Sequence, residues 1–266
     1  MKTRIISAII MLLIGVPILI VGGALFKVFA LILGVCSTYE LLSVRKSYRQ
    51  LPIFIRILSY AIVASFIWFG TSVYLVNYEL IYKLIAALFL LYFLPIIIID
   101  DDKKYDANDA FYAIGSTIFL AIAFNSCVII MNKDLMYLIY VLLVTMMTDT
   151  FAYFTGYFIG KHKLCEKISP KKTWEGAIGG TLIATIIAST FYIVVLNPKA
   201  NDFLIIFVTL ILSILGQYGD LFFSSIKRHF KVKDYSNLIP GHGGILDRLD
   251  SVIFVILTYI LFMNIL

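Results

Sequence analysis

The chain has 266 residues and a formal net charge of +6; 61% of the residues belong to the AVILMFWYC set, and only 14% are Asp, Glu, Lys or Arg. Soluble domains contain about 25% charged residues, so this composition excludes a soluble globule, and its abundance of large apolar side chains excludes a disordered chain. The apolar residues form long blocks without the two-residue alternation of a membrane β-barrel. The composition therefore predicts an all-α polytopic integral membrane protein.

Nine apolar blocks approach the length of about 20 residues that a membrane-spanning helix needs. In chain order, we predict spans at about 5–21, 24–43, 53–75, 80–99, 110–131, 135–159, 174–197, 203–226 and 246–265. The first block follows Lys2 and Arg4 as a signal peptide would. It lacks a clear cleavage site with small residues, so we expect it to remain as the first span.

The distribution of basic residues predicts the orientation, because cytoplasmic loops are enriched in Lys and Arg. With nine spans and a cytoplasmic N-terminus, only four of the 22 Lys and Arg residues lie on the outer side, namely Lys27, Lys83, Lys133 and Lys199. The other 18 lie on the cytoplasmic side. The C-terminus is then predicted to lie outside.

Two cytoplasmic loops, 160–175 and 227–246, are long, basic and rich in Gly, Pro, Ser and His. Both follow the first 109 residues, whose long apolar blocks predict spanning helices. We therefore predict an N-terminal helical region at 1–109 and a C-terminal region at 110–266 that carries the function.

Acidic residues inside spanning segments are costly unless they are paired or face water, so each is a candidate functional residue. Glu40 lies near the cytoplasmic end of its span and is expected to reach the surface or to pair with Arg45. Asp149 lies close to the middle of its span and shares a helix face with Tyr153 and Gly156. A polar tether between helices and the wall of a substrate cavity both explain Asp149.

Two further groups of acids lie near the cytoplasmic surface. Asp220, Ser224 and Lys227 fall on one face of the eighth span, and Asp247 and Asp250 share a face of the ninth. Carboxylates from two helices, backed by cations, suit a hard divalent cation that shares its ligand shell with phosphate oxygens. Interhelical salt bridges, such as one between Asp220 and Arg248, are the alternative.

The two basic loops have features of phosphate-binding segments. Between the last two spans, basic residues at 227–233 precede the sequence PGHGG at 240–244, and such glycines allow backbone N–H groups to approach an anion. Nearby Lys and Arg side chains add charge-assisted hydrogen bonds to phosphate. In the other loop, Lys171 and Lys172 precede Thr173, which we predict to be the N-cap of the seventh helix.

The polar segments match a known family as a unit. The sequences SSIKR at 224–228, KDYS at 233–236 and IPGHGGILDRLD at 239–250 closely resemble the signature of the phosphatidate cytidylyltransferases, also called CDP-diglyceride synthases. Asp149, Tyr153, Gly156 and the sequence SPKKTWEG at 169–176 resemble a second segment of that family. The first 100 residues resemble it only in being apolar and helical.

The resemblance implies an enzyme of phospholipid biosynthesis that converts phosphatidic acid and CTP to CDP-diacylglycerol and pyrophosphate. It also implies a Mg²⁺ cofactor, a second monovalent or divalent cation being left open, and a homodimer in the cell (inner) membrane whose active site faces the cytoplasm. No nucleic-acid partner is expected. By resemblance, Asp220 and Asp247 are the metal-binding residues, with Asp250 beside them.

The remaining expected site residues would contact the substrates. Lys227 and Arg228 join the three aspartates as candidate catalytic residues. The candidate substrate-binding residues are Ser224, Lys233, Asp234, His242, Gly243, Gly244, Arg248, Lys171, Lys172 and Asp149.

Two other functions compete with this interpretation. A CTP-dependent lipid kinase would share the apolar helices and the nucleotide, but it would transfer the γ-phosphoryl group. A cation-coupled transporter would use the intramembrane acids as its pathway, although the polar residues lie in one half of the chain without the two-fold repetition that many transporters show.

Overall fold

The computed structural model describes residues 2–70, 78–99, 101, 103–196 and 200–266. Nine α-helices in these residues coincide with the nine predicted segments: α1 (Lys2–Val21), α2 (Gly23–Ser43), α3 (Ile53–Phe69), α4 (Tyr78–Ile99), α5 (Ala107–Lys133), α6 (Leu135–Ile159), α7 (Trp174–Phe191), α8 (Asp202–His229) and α9 (Leu246–Phe262). A turn of π-helix, Tyr192–Leu196, continues α7. The ends predicted at 71–75 and at 197 lie outside the described residues.

The helices confirm an all-α membrane protein with several spans. Six segments are long and apolar enough to cross a membrane: Gly23–Lys46, Tyr82–Ile99, Ala107–Lys133, Leu135–Ile159, Trp174–Leu196 and Asp202–His229. Two apolar helices, Ile5–Val21 and Ile53–Phe69, are shorter. Helix α9 has 17 residues and carries acids in its first turns. The count of nine spans and their direction stay predictions.

The chain forms two compact units that are discontinuous in sequence. Unit 1 comprises Met1–Val128 and Phe230–Leu246, and unit 2 comprises Ile129–His229 and Asp247–Leu266. The predicted regions 1–109 and 110–266 were divided by the position of the two long basic loops and not by packing, and that division stays a prediction.

Unit 1 contains a buried polar chain that ties α3, α4 and α5 together. The hydroxyl of Tyr92 lies 2.7 Å from Ser59 Oγ and 3.1 Å from Thr117 Oγ1. The Tyr105 hydroxyl donates to the Tyr92 carbonyl at 3.1 Å. Because these hydroxyls satisfy one another, they join the three helices in one register without a loss of hydrogen bonds at Ser59, Tyr92 and Thr117.

Unit 2 is organised by the close packing of α6 against α7. A Cβ atom on Gly180 would lie 2.7 Å from the backbone of α6 at Thr148 and Ala152, and one on Gly176 would lie 2.7 Å from the Ala152 carbonyl. Glycine at these two positions therefore allows the backbones to approach each other, as is common between membrane helices. This packing holds the Asp149 face of α6 beside the start of α7.

A small β-hairpin, β1 (Lys163–Cys165) and β2 (Ser169–Thr173), occupies the predicted loop 160–175. The sequence interpretation contained no strand here. The hairpin leads directly into α7, where the backbone N–H of Gly176 donates to Thr173 Oγ1 at 3.2 Å. The predicted N-cap role of Thr173 is thus confirmed, and the cap fixes where β2 ends.

Candidate functional site

A cavity of about 520 Å³ in unit 2 is lined by α6, the hairpin, α7 and α8. Its polar lining comes from Asp149, Lys163, Lys171, Lys172, Gln217 and Asp220, among others. Asp149, Tyr153 and Gly156 all reach this cavity, as their shared helix face predicts. Asp149 therefore forms part of a cavity wall.

On α8, Asp220 accepts hydrogen bonds from two directions. The Lys172 ammonium, on β2, lies 2.5 Å from Asp220 Oδ2, and Ser224 Oγ donates to Asp220 Oδ1 at 3.2 Å. The predicted proximity of Asp220 and Ser224 is thus confirmed. The alternative interpretation of the sequence named Arg248 as the partner of Asp220. The ion pair that the structure shows is instead with Lys172 of the hairpin.

A second ion pair joins the end of α8 to the start of α9. Lys227 Nζ donates to Asp247 Oδ1 at 2.7 Å, and the two side chains are only 10% and 4% exposed. Lys227 also lies within electrostatic range of Asp220 and Asp250. Lys227 thus connects the acids of α8 with those of α9.

Four carboxylates, those of Asp149, Asp220, Asp247 and Asp250, belong to this region, and each is coupled electrostatically to at least one other charged group there. Lys172 pairs with Asp220 and Lys227 pairs with Asp247, and the four acidic side chains together offer carboxylate oxygens. This donor set fits a hard divalent cation that completes its shell with water and phosphate oxygens. Among the described residues, no group of three or more His, Cys, Asp or Glu side chains is arranged so that all could bind one metal ion.

The other predicted site residues that belong to unit 2 are Lys171, Arg228 and Arg248. Lys171 is exposed on β2 and lines the cavity. Arg228 Nε donates to the Ile168 carbonyl of the hairpin at 3.3 Å. Arg248 lies in the first turn of α9, between Asp247 and Asp250.

Lys233, Asp234, His242, Gly243 and Gly244 belong to unit 1, in the connection between α8 and α9. Here the Ile239 N–H donates to the Gly243 carbonyl at 2.8 Å, and the His242 N–H donates to the Ile239 carbonyl at 2.9 Å. Gly241 and Gly243 have φ angles of 78° and 86°. These positive angles explain the glycines of the PGHGG sequence, since L-residues with a Cβ rarely adopt them.

Two glutamates have roles that the sequence interpretation missed. Glu40 does not pair with Arg45, whose guanidinium pairs with Asp109; it accepts hydrogen bonds from residues 236–246. Glu175 accepts from the backbone N–H of Lys161 at 3.1 Å and lies 2.6 Å from His162 Nδ1, which closes the base of the hairpin. In the sequence, the one signal for these roles was that each carboxylate stands next to a run of apolar residues.

The chain is similar to known proteins over nearly its whole length. The model of the Cytidylyltransferase family matches residues 2–266. Proteins named phosphatidate cytidylyltransferase from Staphylococcus haemolyticus and Staphylococcus aureus are 38% and 37% identical to the chain, and one from Staphylococcus epidermidis is 36% identical. Each alignment covers 96% of this chain and 96% of the relative. The chain therefore belongs to the cytidylyltransferase family.

Proposed function

We propose that this chain is a phosphatidate cytidylyltransferase, which converts phosphatidic acid and CTP to CDP-diacylglycerol and pyrophosphate in phospholipid biosynthesis. The similarity to proteins of that name extends over nearly the whole chain. The observation that carries the proposal is the set of acids and lysines that line one cavity at the hairpin in a largely apolar chain, namely Asp149, Asp220, Lys163, Lys171 and Lys172. Such a site is costly in a membrane and suits a reaction between two phosphate compounds.

In the proposed reaction, an oxygen of the lipid phosphate attacks the α-phosphorus of CTP. A new P–O bond forms, the bond from the α-phosphorus to the bridging oxygen breaks, and pyrophosphate leaves with that oxygen. The lipid phosphate is already an anionic nucleophile, so a strong general base is unnecessary. Positioning two polyanions and stabilising the charge on the leaving group are the main requirements.

Lysine and arginine side chains meet the second requirement. Lys171 and Lys172 on the hairpin, with Lys227 and Arg228 at the end of α8, would bind phosphate oxygens through charge-assisted hydrogen bonds. Ser224, next to Asp220, would donate a further hydrogen bond. Lys233, Asp234, His242, Gly243, Gly244 and Arg248 remain proposed substrate contacts by resemblance.

We also propose that Asp220 and Asp247 hold Mg²⁺, with Asp250 beside them. The carboxylates that α8 and α9 bring within electrostatic range of Lys227 support this cofactor. When bound, a divalent cation would neutralise charge on the phosphates. Chelation of divalent cations should therefore abolish activity, and added Mg²⁺ should restore it.

For the topology, we propose nine spans with a cytoplasmic N-terminus and active site, and a homodimer in the cell membrane. The uneven distribution of Lys and Arg supports the orientation. The orientation can be measured in a variant whose three native cysteines are replaced, so that a newly introduced cysteine is the one that reacts. A membrane-impermeant thiol reagent should label Asn201→Cys from outside the cell, whereas Lys167→Cys should require permeabilised cells.

The activity test uses the purified chain with phosphatidic acid and CTP labelled at the α- or the γ-phosphate. We expect α-label in the lipid product and none in the lipid from γ-labelled CTP. Lipid labelled only from the γ-position would show a kinase and overturn the proposal. Asp247→Asn is the control variant, and full activity in that variant would remove Asp247 from the metal site.

A further inference from the structure

Residues 230–246, which form the connection between α8 and α9 and the first residue of α9, are held by three helices of the N-terminal half, and all of these contacts lie within unit 1. Ser7 Oγ, on α1, donates to the Pro240 carbonyl at 2.8 Å. The ring of Tyr112, on α5, lies edge-on to Phe230 with 5.8 Å between the ring centroids. Helix α2 contributes Glu40, whose contacts are the most extensive.

The Glu40 side chain is fully buried and uses both carboxylate oxygens. Oε1 accepts from Ser236 Oγ at 2.5 Å and from the Ile245 N–H at 2.9 Å, and Oε2 accepts from the Leu246 N–H at 2.8 Å. A buried carboxylate is costly unless such donors surround it. Here backbone N–H groups at the start of α9 are the donors, and a negative charge at a helix N-terminus is favourable.

Gly244 shows how closely the connection approaches this carboxylate. A Cβ atom at position 244 would lie 2.6 Å from Glu40 Oε1 and 2.7 Å from Oε2. Any side chain there would displace either the carboxylate or the backbone. The glycine and the glutamate therefore form one contact, although they are far apart in sequence.

This contact fixes the residue that precedes Asp247. Leu246 is the first residue of α9, and Asp247 and Asp250 follow it in the first turns. Resting on the proposed function, we propose that Glu40 is a positioning residue for cytidylyl transfer: it holds the entry to α9 so that Asp247 and Asp250 keep their orientation. The N-terminal helices thus contribute to the reaction, although they contain none of the expected site residues.

The test compares Glu40→Gln with Ser59→Ala in the purified full-length chain. Glutamine keeps one oxygen but turns an acceptor into an NH₂ group, which cannot accept from the second backbone N–H. Ser59 is also fully buried in unit 1, and its hydroxyl bonds Tyr92 far from residues 230–246 in sequence. Ser59→Ala therefore reports the effect of losing buried hydrogen bonds, to Tyr92 and to the Ile55 carbonyl, away from the proposed site residues.

We expect Glu40→Gln to lower kcat at saturating CTP by about 10- to 100-fold, as loss of a supporting hydrogen-bond partner does at other sites. Both variants should lower the thermal midpoint, but Ser59→Ala should keep kcat within about twofold of the parent because its hydroxyl bonds Tyr92 and the Ile55 carbonyl, which are not proposed site residues. Trypsin should also cleave Glu40→Gln faster at the exposed Lys231 and Lys233. Ser236→Ala, which removes the hydroxyl that donates to Glu40 Oε1, should change both measurements in the same direction.

Equal kcat in Glu40→Gln and Ser59→Ala would overturn the positioning role, as would a fall in kcat that merely follows the loss of folded protein. If Glu40→Gln does not fold, Ser236→Ala decides by the same two measurements, because it removes one donor to the Glu40 carboxylate. A parent chain that forms no CDP-lipid would instead overturn the proposed function, and the positioning role with it. An active parent with an unaffected Glu40→Gln variant overturns the positioning role alone.

Discussion

The ammonium nitrogen of Lys172 lies 2.5 Å from Asp220 Oδ2, so an ion pair joins the hairpin to the middle of the polar face of α8. Both side chains are about one quarter exposed, at 25% and 28%. The pair therefore stays accessible to a ligand in the cavity. A phosphate that enters would meet a lysine whose position is already set by a carboxylate.

The first prediction concerns this lysine. Lys172→Met removes the cation but keeps much of the side-chain volume, and we expect kcat to fall by about 100-fold, the usual effect of losing one charge-stabilising donor. The assay is CDP-lipid formation at saturating CTP. Lys167→Met, which removes an exposed lysine of the same hairpin region, is the matched control and should keep parental activity. Equal activity of the two variants would contradict a phosphate-binding role for Lys172.

A second prediction separates stability from activity at the buried ion pair. Asp247→Asn removes the negative charge 2.7 Å from Lys227 Nζ, and we expect a loss of about 3 kcal/mol in the free energy of unfolding because a buried ammonium then loses its carboxylate. The double variant Lys227→Met with Asp247→Asn should recover much of that stability and remain inactive. Thermal unfolding in detergent and the CDP-lipid assay measure the two properties. Recovery of activity in the double variant would show that the pair has only a structural role.

The packing of α6 against α7 gives a third prediction. Gly180→Ala places a methyl group 2.7 Å from the α6 backbone, and we expect a destabilisation of about 1–3 kcal/mol as the helices separate. Gly115→Ala is the control, since a Cβ atom there meets nothing within 4 Å and alanine favours a helix interior by about 1 kcal/mol. The thermal midpoints should therefore move in opposite directions. A stabilised Gly180→Ala variant would contradict the close approach.

Asp106, at the start of α5, gives a prediction for pH. Burial opposes its ionisation, but the Asp109 N–H, which donates at 2.9 Å, and Arg49, at 2.9 Å, together hold the Asp106 pKa below its ordinary value. Its stabilising effect is therefore complete above the unfolded pKa of about 3.9 and disappears as the pH falls through the lower folded pKa.

The matched variants are Asp106→Ala and Asp106→Asn. At neutral pH, Asp106→Ala should destabilise the chain by about 1 kcal/mol through loss of the helix cap, and Asp106→Asn by less because asparagine also caps helices. The difference in thermal midpoint between the parent and Asp106→Asn should narrow as the pH falls below about 4. A difference that stays constant with pH would contradict the role of the Asp106 charge.

Periodicity and apolar length were sufficient to predict the helices, because each helix satisfies its own backbone hydrogen bonds and needs no information from distant residues. The hairpin was missed for the opposite reason. Its second strand, Ser169–Thr173, contains a proline and two lysines and lacks alternation, so it depends on contacts at its base. Glu175 supplies these contacts through Lys161 and His162.

The site shows the same division between local and distant information. The contact of Ser224 with Asp220 follows from helical spacing within α8 and was predicted. The choice of Lys172 over Arg248 as the partner of Asp220 depends on how the hairpin packs, which spacing along one helix does not contain. The role of Glu40 was missed because its partners lie 196 to 206 residues further along the chain.

That separation also affects the order in which the chain matures in the cell. Helix α2 is synthesised about 200 residues before the donors of Glu40, an interval on the order of 10–40 s at usual translation rates. During this time, the carboxylate enters the membrane environment without the backbone groups that later surround it. The start of α9 therefore completes the set of hydrogen-bond donors around Glu40 of α2. A chain truncated before α9 lacks these donors, and we expect cellular proteases to degrade it faster than the full chain.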